Sequence, residues 1–257
     1  MEETTVSRIK GILFDKDGTL LDFHPFFVPL ATQLVEQFLH EHGLETHARL
    51  EEKLLQSIGL NGNQVDPKGI LASGTSKDIY TAFCQQLVNN HVDPNQFENL
   101  ETWITETIYQ LTQSNTQHII PTADLQKLFH QLRTLGIKVG IATADDWEST
   151  ITCLENLGVK DYFEFIGTSD HYRKKPDPSM LEAFCEKTQL KETEVAVVGD
   201  TTVDLLLAKN GSAGLAVGVL SGVSGSDELR ELADILLTSV GEIVGEDGRL
   251  IWEAQQQ

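Results

Sequence analysis

The chain opens on a short apolar run, Ile9-Lys-Gly-Ile-Leu-Phe14, that stops at the turn-forming Asp15-Lys-Asp-Gly18. A brief run of β-forming residues bounded in this way predicts a strand. From Phe26 to His40 the rhythm changes. Phe27, Leu30, Leu34, Val35 and Phe38 recur at the three-to-four-residue spacing that lines one face of a helix. Leu50–Ile58, Ser76–Asn89 and Pro94–Leu111 read likewise as helices. Between Leu50–Ile58 and Ser76–Asn89, Gly59–Thr75 is rich in Gly, Asn, Asp and Pro, and no strand is predicted in this middle region.

After Pro121 helices and strands alternate. Helices are predicted at Asp124–Leu135, Trp147–Leu157, Ser179–Lys187, Val203–Asn210 and Asp227–Leu232. Strands are predicted at Ile137–Ala142, Phe163–Ile166, Glu194–Val198, Ala213–Val217 and Ile235–Leu237. Such alternation builds a parallel sheet covered on both faces, and the unbroken apolar run Val195–Val198 fits a central position. Structureless connections beyond ~15 residues are uncommon in compact domains, so the long interruption after the first strand should be a domain of its own. The fold class expected is α/β: a Rossmann-like parallel sheet core, residues 1–22 and 115–257, with an inserted α-helical cap domain, residues 23–114. Hinges are expected at Asp22–Pro25 and Asn115–Pro121. Ligands of open parallel sheets bind beyond the carboxyl ends of the strands, the edge at which Asp15 falls.

Composition narrows the partners. Apolar residues at 40% and charged residues at 23% suit a globular core, with loose termini expected only at the first six residues and the last five. The formal charge of −20, from 39 acidic and 19 basic residues, opposes binding to nucleic acid or an anionic membrane. An anionic substrate would need local positive charge from a metal ion, a lysine or backbone amides. Cys84, Cys153 and Cys185 form neither a zinc spacing nor a disulfide framework, and read as buried thiols in a reducing compartment. No apolar stretch is long enough to span a bilayer, and the polar, acidic start is unlike a secretory signal. A cytoplasmic protein, monomer or homodimer, is expected.

Four polar segments follow strand ends. In Asp15-Lys-Asp-Gly-Thr-Leu-Leu-Asp22, carboxylates two residues apart can reach one ligand where Gly18 lets the chain turn. Lys138-Val-Gly-Ile-Ala-Thr143 presents a hydroxyl at a strand end, in isolation an ordinary turn residue. In Arg173-Lys-Lys-Pro-Asp-Pro178, Pro176 stiffens the backbone after Lys175, whose ammonium could neutralise a phosphoryl group, although most charged runs are simply solvated. Gly199-Asp200 closes the buried strand, and Asp204 lies one helical turn beyond it, with Thr201 or Thr202 placed to cap that helix. Hard oxygen ligands of this kind suit Mg²⁺.

Together the four segments resemble the haloacid dehalogenase-like hydrolase superfamily, in its phosphoglycolate-phosphatase-like branch. The resemblance covers the α/β part, and the helical insertion stands where that branch carries its cap. It implies a Mg²⁺-dependent phosphatase acting on a small-molecule phosphate ester, phosphoglycolate-like or a sugar phosphate. Asp15 would be the nucleophile that becomes an aspartyl-phosphate, and Asp17 the general acid/base. The metal would be held by the Asp15 side chain, the Asp17 backbone carbonyl and the Asp200 side chain. Asp204 would steady the metal's surroundings or Lys175. Thr143, Ala144, Lys175 and the backbone at Asp17 and Gly18 would grip the phosphoryl oxygens. For the two steps, Asp15 must stay ionised while Asp17 carries a proton.

Two features depart from the family pattern. Lys16 stands where an apolar residue is frequent. Asp145 and Asp146 follow Thr143, and read as solvated loop residues, as groups facing the cap, or as selectors of a cationic or hydroxyl-rich leaving group. Arg49, Lys68 and the loop Gly59–Thr75 are candidates for substrate selection. The alternatives are a sugar phosphomutase of the beta-phosphoglucomutase kind, which His24 keeps open, a pyrophosphatase or nucleotidase, and, in another class, a non-catalytic phosphate-binding regulator. A dehalogenase is disfavoured, because those enzymes lack the counterpart of Asp17.

Overall fold

The computed structural model describes residues 9–47 and 49–254. Six parallel strands form the sheet: β1 (Gly11–Phe14), β4 (Lys138–Ala142), β5 (Phe165–Gly167), β6 (Val195–Gly199), β7 (Leu215–Val219) and β8 (Ile235–Leu237), in the order β5-β4-β1-β6-β7-β8. β1 lies between β4 and β6, with Phe14 level with Ile141 and Val198. The chain therefore winds outward from β1 in both directions, which opens a crevice at the carboxyl ends beside it.

Strand residues alternate between two cores, as a period of two requires. Ile12, Phe14, Ala196 and Val198 face a cluster with α6 (Leu125–Thr134) and α7 (Trp147–Asn156). Leu13, Val195 and Val197 face another with α8 (Ser179–Thr188) and α9 (Thr202–Asn210). Covered on both faces, β6 is buried at every position.

The residues between β1 and β4 carry a separate apolar cluster. It is built from α1 (Phe23–Glu41), α2 (Leu50–Ser57), α4 (Ser76–Asn89) and α5 (Leu100–Ser114) around Leu34, Phe38, Leu54, Phe83 and Ile104. Phe38 is fully buried among the rings of Phe83, Phe97 and Trp103. This helical cap meets the α/β part through α7: Cys153 joins the cap cluster, and Gln113 donates to Thr152 at 2.7 Å. Lys174 reaches across to Asp78 at 2.7 Å.

The cap corrects the expectation that it contains no strand. Leu60–Asn61 (β2) and Gln64–Val65 (β3) form an antiparallel hairpin, and Ile70–Ser73 (α3) adds a short helix. Strands of two residues carry no readable alternation; only Gly62, at φ 61°, marks the tight turn. A closing turn, α11 (Ile251–Ala254), includes Glu253 and Ala254, which had been expected in a loose tail. Residues 1–6 and 255–257 of the expected loose termini lie outside the described residues. Among the described residues no helix is long and apolar enough to cross a membrane.

Candidate active site

The site is assembled by strand ends. Asp15 follows β1, and its N–H donates to Val198 O at 2.8 Å, so β6 fixes the backbone there. Thr143 follows β4 and is wholly buried, its N–H donating to Gly167 O at 3.0 Å. Asp200 follows β6, and Asp204 lies in the first turn of α9. Lys175, on the connection from β5 to α8, is followed by a cis bond to Pro176.

One ammonium ties the group together. Lys175 Nζ donates to Asp15 Oδ1 at 2.7 Å, Asp204 Oδ1 at 2.6 Å and Ala142 O at 3.0 Å, which uses all three of its protons. Asp204 is equally committed, because its Oδ2 accepts from Thr201 N–H at 3.0 Å and Thr201 Oγ1 at 2.6 Å. Asp200 Oδ2 accepts from Val223 N–H at 2.8 Å, whereas its Oδ1 is buried with no hydrogen-bond partner.

Asp15, Asp200 and Asp204 each present an oxygen within 4.8 Å of the others. Burial of Asp15 and Asp200, reinforced by mutual repulsion, pushes Asp15 up to about 7 despite Lys175, and holds Asp200 well above the usual carboxylate range. Burial works against the Lys175 ammonium too, but Asp15 and Asp204 outweigh it and raise it. Three buried carboxylates with one lysine lack positive charge. An orphaned carboxylate oxygen among them fits a small, hard divalent cation, which takes oxygen ligands.

The turn after Asp15 is shaped for this cluster. Gly18 has φ 78°, and a Cβ on it would fall 2.4 Å from Asp200 Oδ2. Its N–H donates to Leu21 O at 2.8 Å, so among the expected phosphate donors Gly18 is already engaged within its own turn. Thr143 Oγ1 accepts from Asp145 N–H at 3.1 Å, which leaves the hydroxyl proton to donate elsewhere.

Asp17 stands at the entrance, paired with Lys16. Burial raises Asp17 to about 6, with Lys16 pulling it down and Asp145 pushing it up. Asp15 and Asp17 are thus both raised in the protein alone, and a cation beside Asp15 would favour its ionised form and leave the proton to Asp17. Lys16 has no exposed surface; it also meets Asp145 Oδ2 at 3.2 Å and lies 5.5 Å from the Phe27 ring centre of α1. The expectation of solvated Asp145 and Asp146 is thus corrected. Asp145 turns inward to Lys16, and Asp146 caps α7 through Ser149 N–H at 2.9 Å.

The cap candidates divide. Ala144 lines a cavity with Asp17, Asp145 and Asp146, opposite Phe23, Phe27 and Leu30 of α1 and the stretch from Ile70 to Ser76. Of the loop Gly59–Thr75, only this final part reaches the site. Arg49 is exposed and lines a different surface cleft with Glu36, His40 and Glu52, while Lys68 is exposed and its N–H donates to Asp66 Oδ1 at 2.9 Å. Neither is brought to Asp15. His24 is exposed at the start of α1.

The loop after β7 was missed from the sequence. Val223 N–H holds Asp200, Ser221 Oγ donates to Gly18 O at 2.7 Å, and Gly222 packs so closely that a Cβ would fall 1.9 Å from Asp200 Oδ2. The signal was present: Ser221-Gly-Val-Ser-Gly225 is a run of small residues just past a parallel strand.

The family model of haloacid dehalogenase-like hydrolases matches residues 9–211. Phosphoglycolate phosphatase of Vibrio vulnificus is 28% identical over 249 residues, covering 91% of this chain and 99% of that one. N-acetylmuramic acid 6-phosphate phosphatase of Pseudomonas putida is 23% identical over 199 residues, covering 77% of each. The fold is similar to that of CbbY from Rhodobacter sphaeroides in complex with phosphate, with a TM-score of 0.67, 19% identity and coverage of 93% and 98%.

Proposed function

The chain belongs to the haloacid dehalogenase-like hydrolases and is a phosphatase of phosphate esters; we propose that it is a Mg²⁺-dependent one, which cleaves a small-molecule monoester through an aspartyl-phosphate on Asp15. The observation that carries this reading is the buried carboxylate cluster at the carboxyl ends of β1 and β6, with Lys175 in its midst and Asp200 Oδ1 orphaned. Residues 1–22 and 115–257 form the catalytic domain in this reading, and residues 23–114 the cap. The names of the relatives offer phosphoglycolate as the first ester to try.

The Asp15 and Asp200 side chains and the Asp17 carbonyl would hold Mg²⁺, which when bound keeps Asp15 ionised and shields the phosphoryl charge. Asp15 attacks phosphorus, and the bond to the ester oxygen breaks on the opposite side. Asp17 delivers its proton to that oxygen; a carboxyl near 6 holds a proton often enough at neutral pH and releases it readily. The resulting Asp17 carboxylate then takes a proton from water, whose oxygen attacks phosphorus, breaks its bond to Asp15 and leaves as part of inorganic phosphate. Thr143 donates its hydroxyl proton to a phosphoryl oxygen, and Lys175 exchanges one of its three contacts for another. Asp204, held by Thr201 and the start of α9, keeps Lys175 in place. Most of the acceleration comes from this positioning and charge stabilisation.

Phosphate release from p-nitrophenyl phosphate tests the assignment. Activity should require Mg²⁺, and Asp15→Asn should lower kcat by ~10³-fold or more, as loss of a covalent nucleophile does. Full activity in that variant would remove Asp15 from its role.

A further inference from the structure

Resting on the phosphatase reading, the cavity beside Asp17 narrows the leaving group. It is a small cavity of about 60 Å³, open on one side. Its cap wall is mostly hydrocarbon, from Phe27, Leu30, Ile70 and Ile79, with Thr75 and Ser76 beside them, and its floor carries the carboxylates of Asp17, Asp145 and Asp146.

An anionic leaving group would need a cation here, and each nearby cation is already matched by a resident carboxylate. Lys16 is buried under Phe27 and paired with Asp17 and Asp145. Lys174 is bound to Asp78, and Lys175 to Asp15 and Asp204. Two helix N-termini border the cavity, positions that ordinarily welcome anions. That of α4 is closed by a capping box in which Asp78 Oδ2 accepts from Thr75 N–H at 2.8 Å. That of α7 is closed by Asp146, which accepts from Ser149 N–H at 2.9 Å and Ser149 Oγ at 3.0 Å. A carboxylate placed here would lose its water and meet like charges with no unpaired cation beside them.

From this convergence we infer that the enzyme selects phosphate monoesters of small hydrocarbon alcohols without negative charge, and discriminates against carboxylated ones such as phosphoglycolate. The wall shields the hydrocarbon from water, and the carboxylate floor repels an acid group that an isosteric hydrocarbon lacks. The selectivity therefore differs from the one in the name of the Vibrio relative.

Isobutyl phosphate and 2-phosphoglycolate have leaving groups of nearly the same shape, one branched by methyls and the other by carboxylate oxygens. With the Mg²⁺-loaded full chain, kcat/KM for isobutyl phosphate should exceed that for phosphoglycolate by at least about tenfold. Asp146→Asn removes a charge but keeps an N-cap side chain, and should narrow the ratio several-fold through phosphoglycolate alone. Equal rates, a preference for phosphoglycolate, or an unchanged ratio in Asp146→Asn would overturn the inference. p-Nitrophenyl phosphate separates the two failures. Asp15-dependent release from it with phosphoglycolate preferred sinks only the selectivity, whereas no Asp15-dependent release from any ester sinks the phosphatase reading itself.

Discussion

Lys16 is the residue on which the chemistry of the entrance turns. It has no exposed surface, and its ammonium stands between Asp17 and Asp145, both partly buried. Breaking a buried pair by removing one partner typically costs ~3–5 kcal/mol, because the remaining charge keeps its desolvation without its counter-ion. Lys16→Met preserves the stem and deletes the charge. It should lower the urea midpoint at pH 8 and lower it less at pH 5, where the abandoned carboxyls take up protons. An equal loss at both pH values would show that the stem, and not the charge, matters. The sequence exposed Lys16 as an oddity but not its partners. Asp17 is its neighbour in the chain, whereas Asp145 reaches it only because β4 lies beside β1.

The longer elements were legible, since apolar spacing and strand length are local properties. The parallel strands fall within two residues of their predicted places, and Asp15, Lys175, Asp200 and Asp204 all stand at strand ends or on the connections that follow them. The short elements were not, because the hairpin of β2 and β3 offers two residues per strand. Nor was the loop after β7, whose importance lies in backbone groups that no side-chain pattern reveals. Gly222→Ala tests that loop. A Cβ would fall 1.9 Å from Asp200 Oδ2 and 2.3 Å from its Cγ, so either the loop or the aspartate must move. The Mg²⁺ concentration for half-maximal activity should rise by ~10-fold or more, a supporting-residue effect on metal sites, while far-UV circular dichroism stays unchanged. Unaltered Mg²⁺ dependence would mean that the loop is free to retreat.

At the scale of the whole molecule, the acidic site opposes folding whenever its carboxyls are ionised without a cation. Asp15 is raised from 3.8 to about 7, and Asp17 and Asp146 to about 6. A carboxyl raised in this way holds its proton more tightly in the folded state than in the unfolded chain. Its contribution is complete below the unfolded value and is lost as the pH climbs through 6 and 7. In EDTA the urea midpoint should therefore be lower at pH 8 than at pH 5, and Mg²⁺ should restore more of it at pH 8. A metal-free midpoint that rises from pH 5 to pH 8 would contradict the charge balance of the site.

The sheet order also bears on how the protein is made. β1 emerges before both of its neighbours, since Gly11 pairs with Lys138 and Val195. While the chain is being synthesised, the strand that carries Asp15 has no neighbours, whereas the helices that follow can close around Phe38 and Phe83 through contacts among themselves. Contacts close in sequence form fastest, and domains tend to fold as they leave the ribosome. A nascent chain arrested at residue 150 should then resist protease across 23–114 while the segment around Asp15 is cut. Protection at Asp15 should appear only when the arrest point lies far enough past Gly199 for β6 to clear the exit tunnel, so Asp15 is translated well before the strand that secures it.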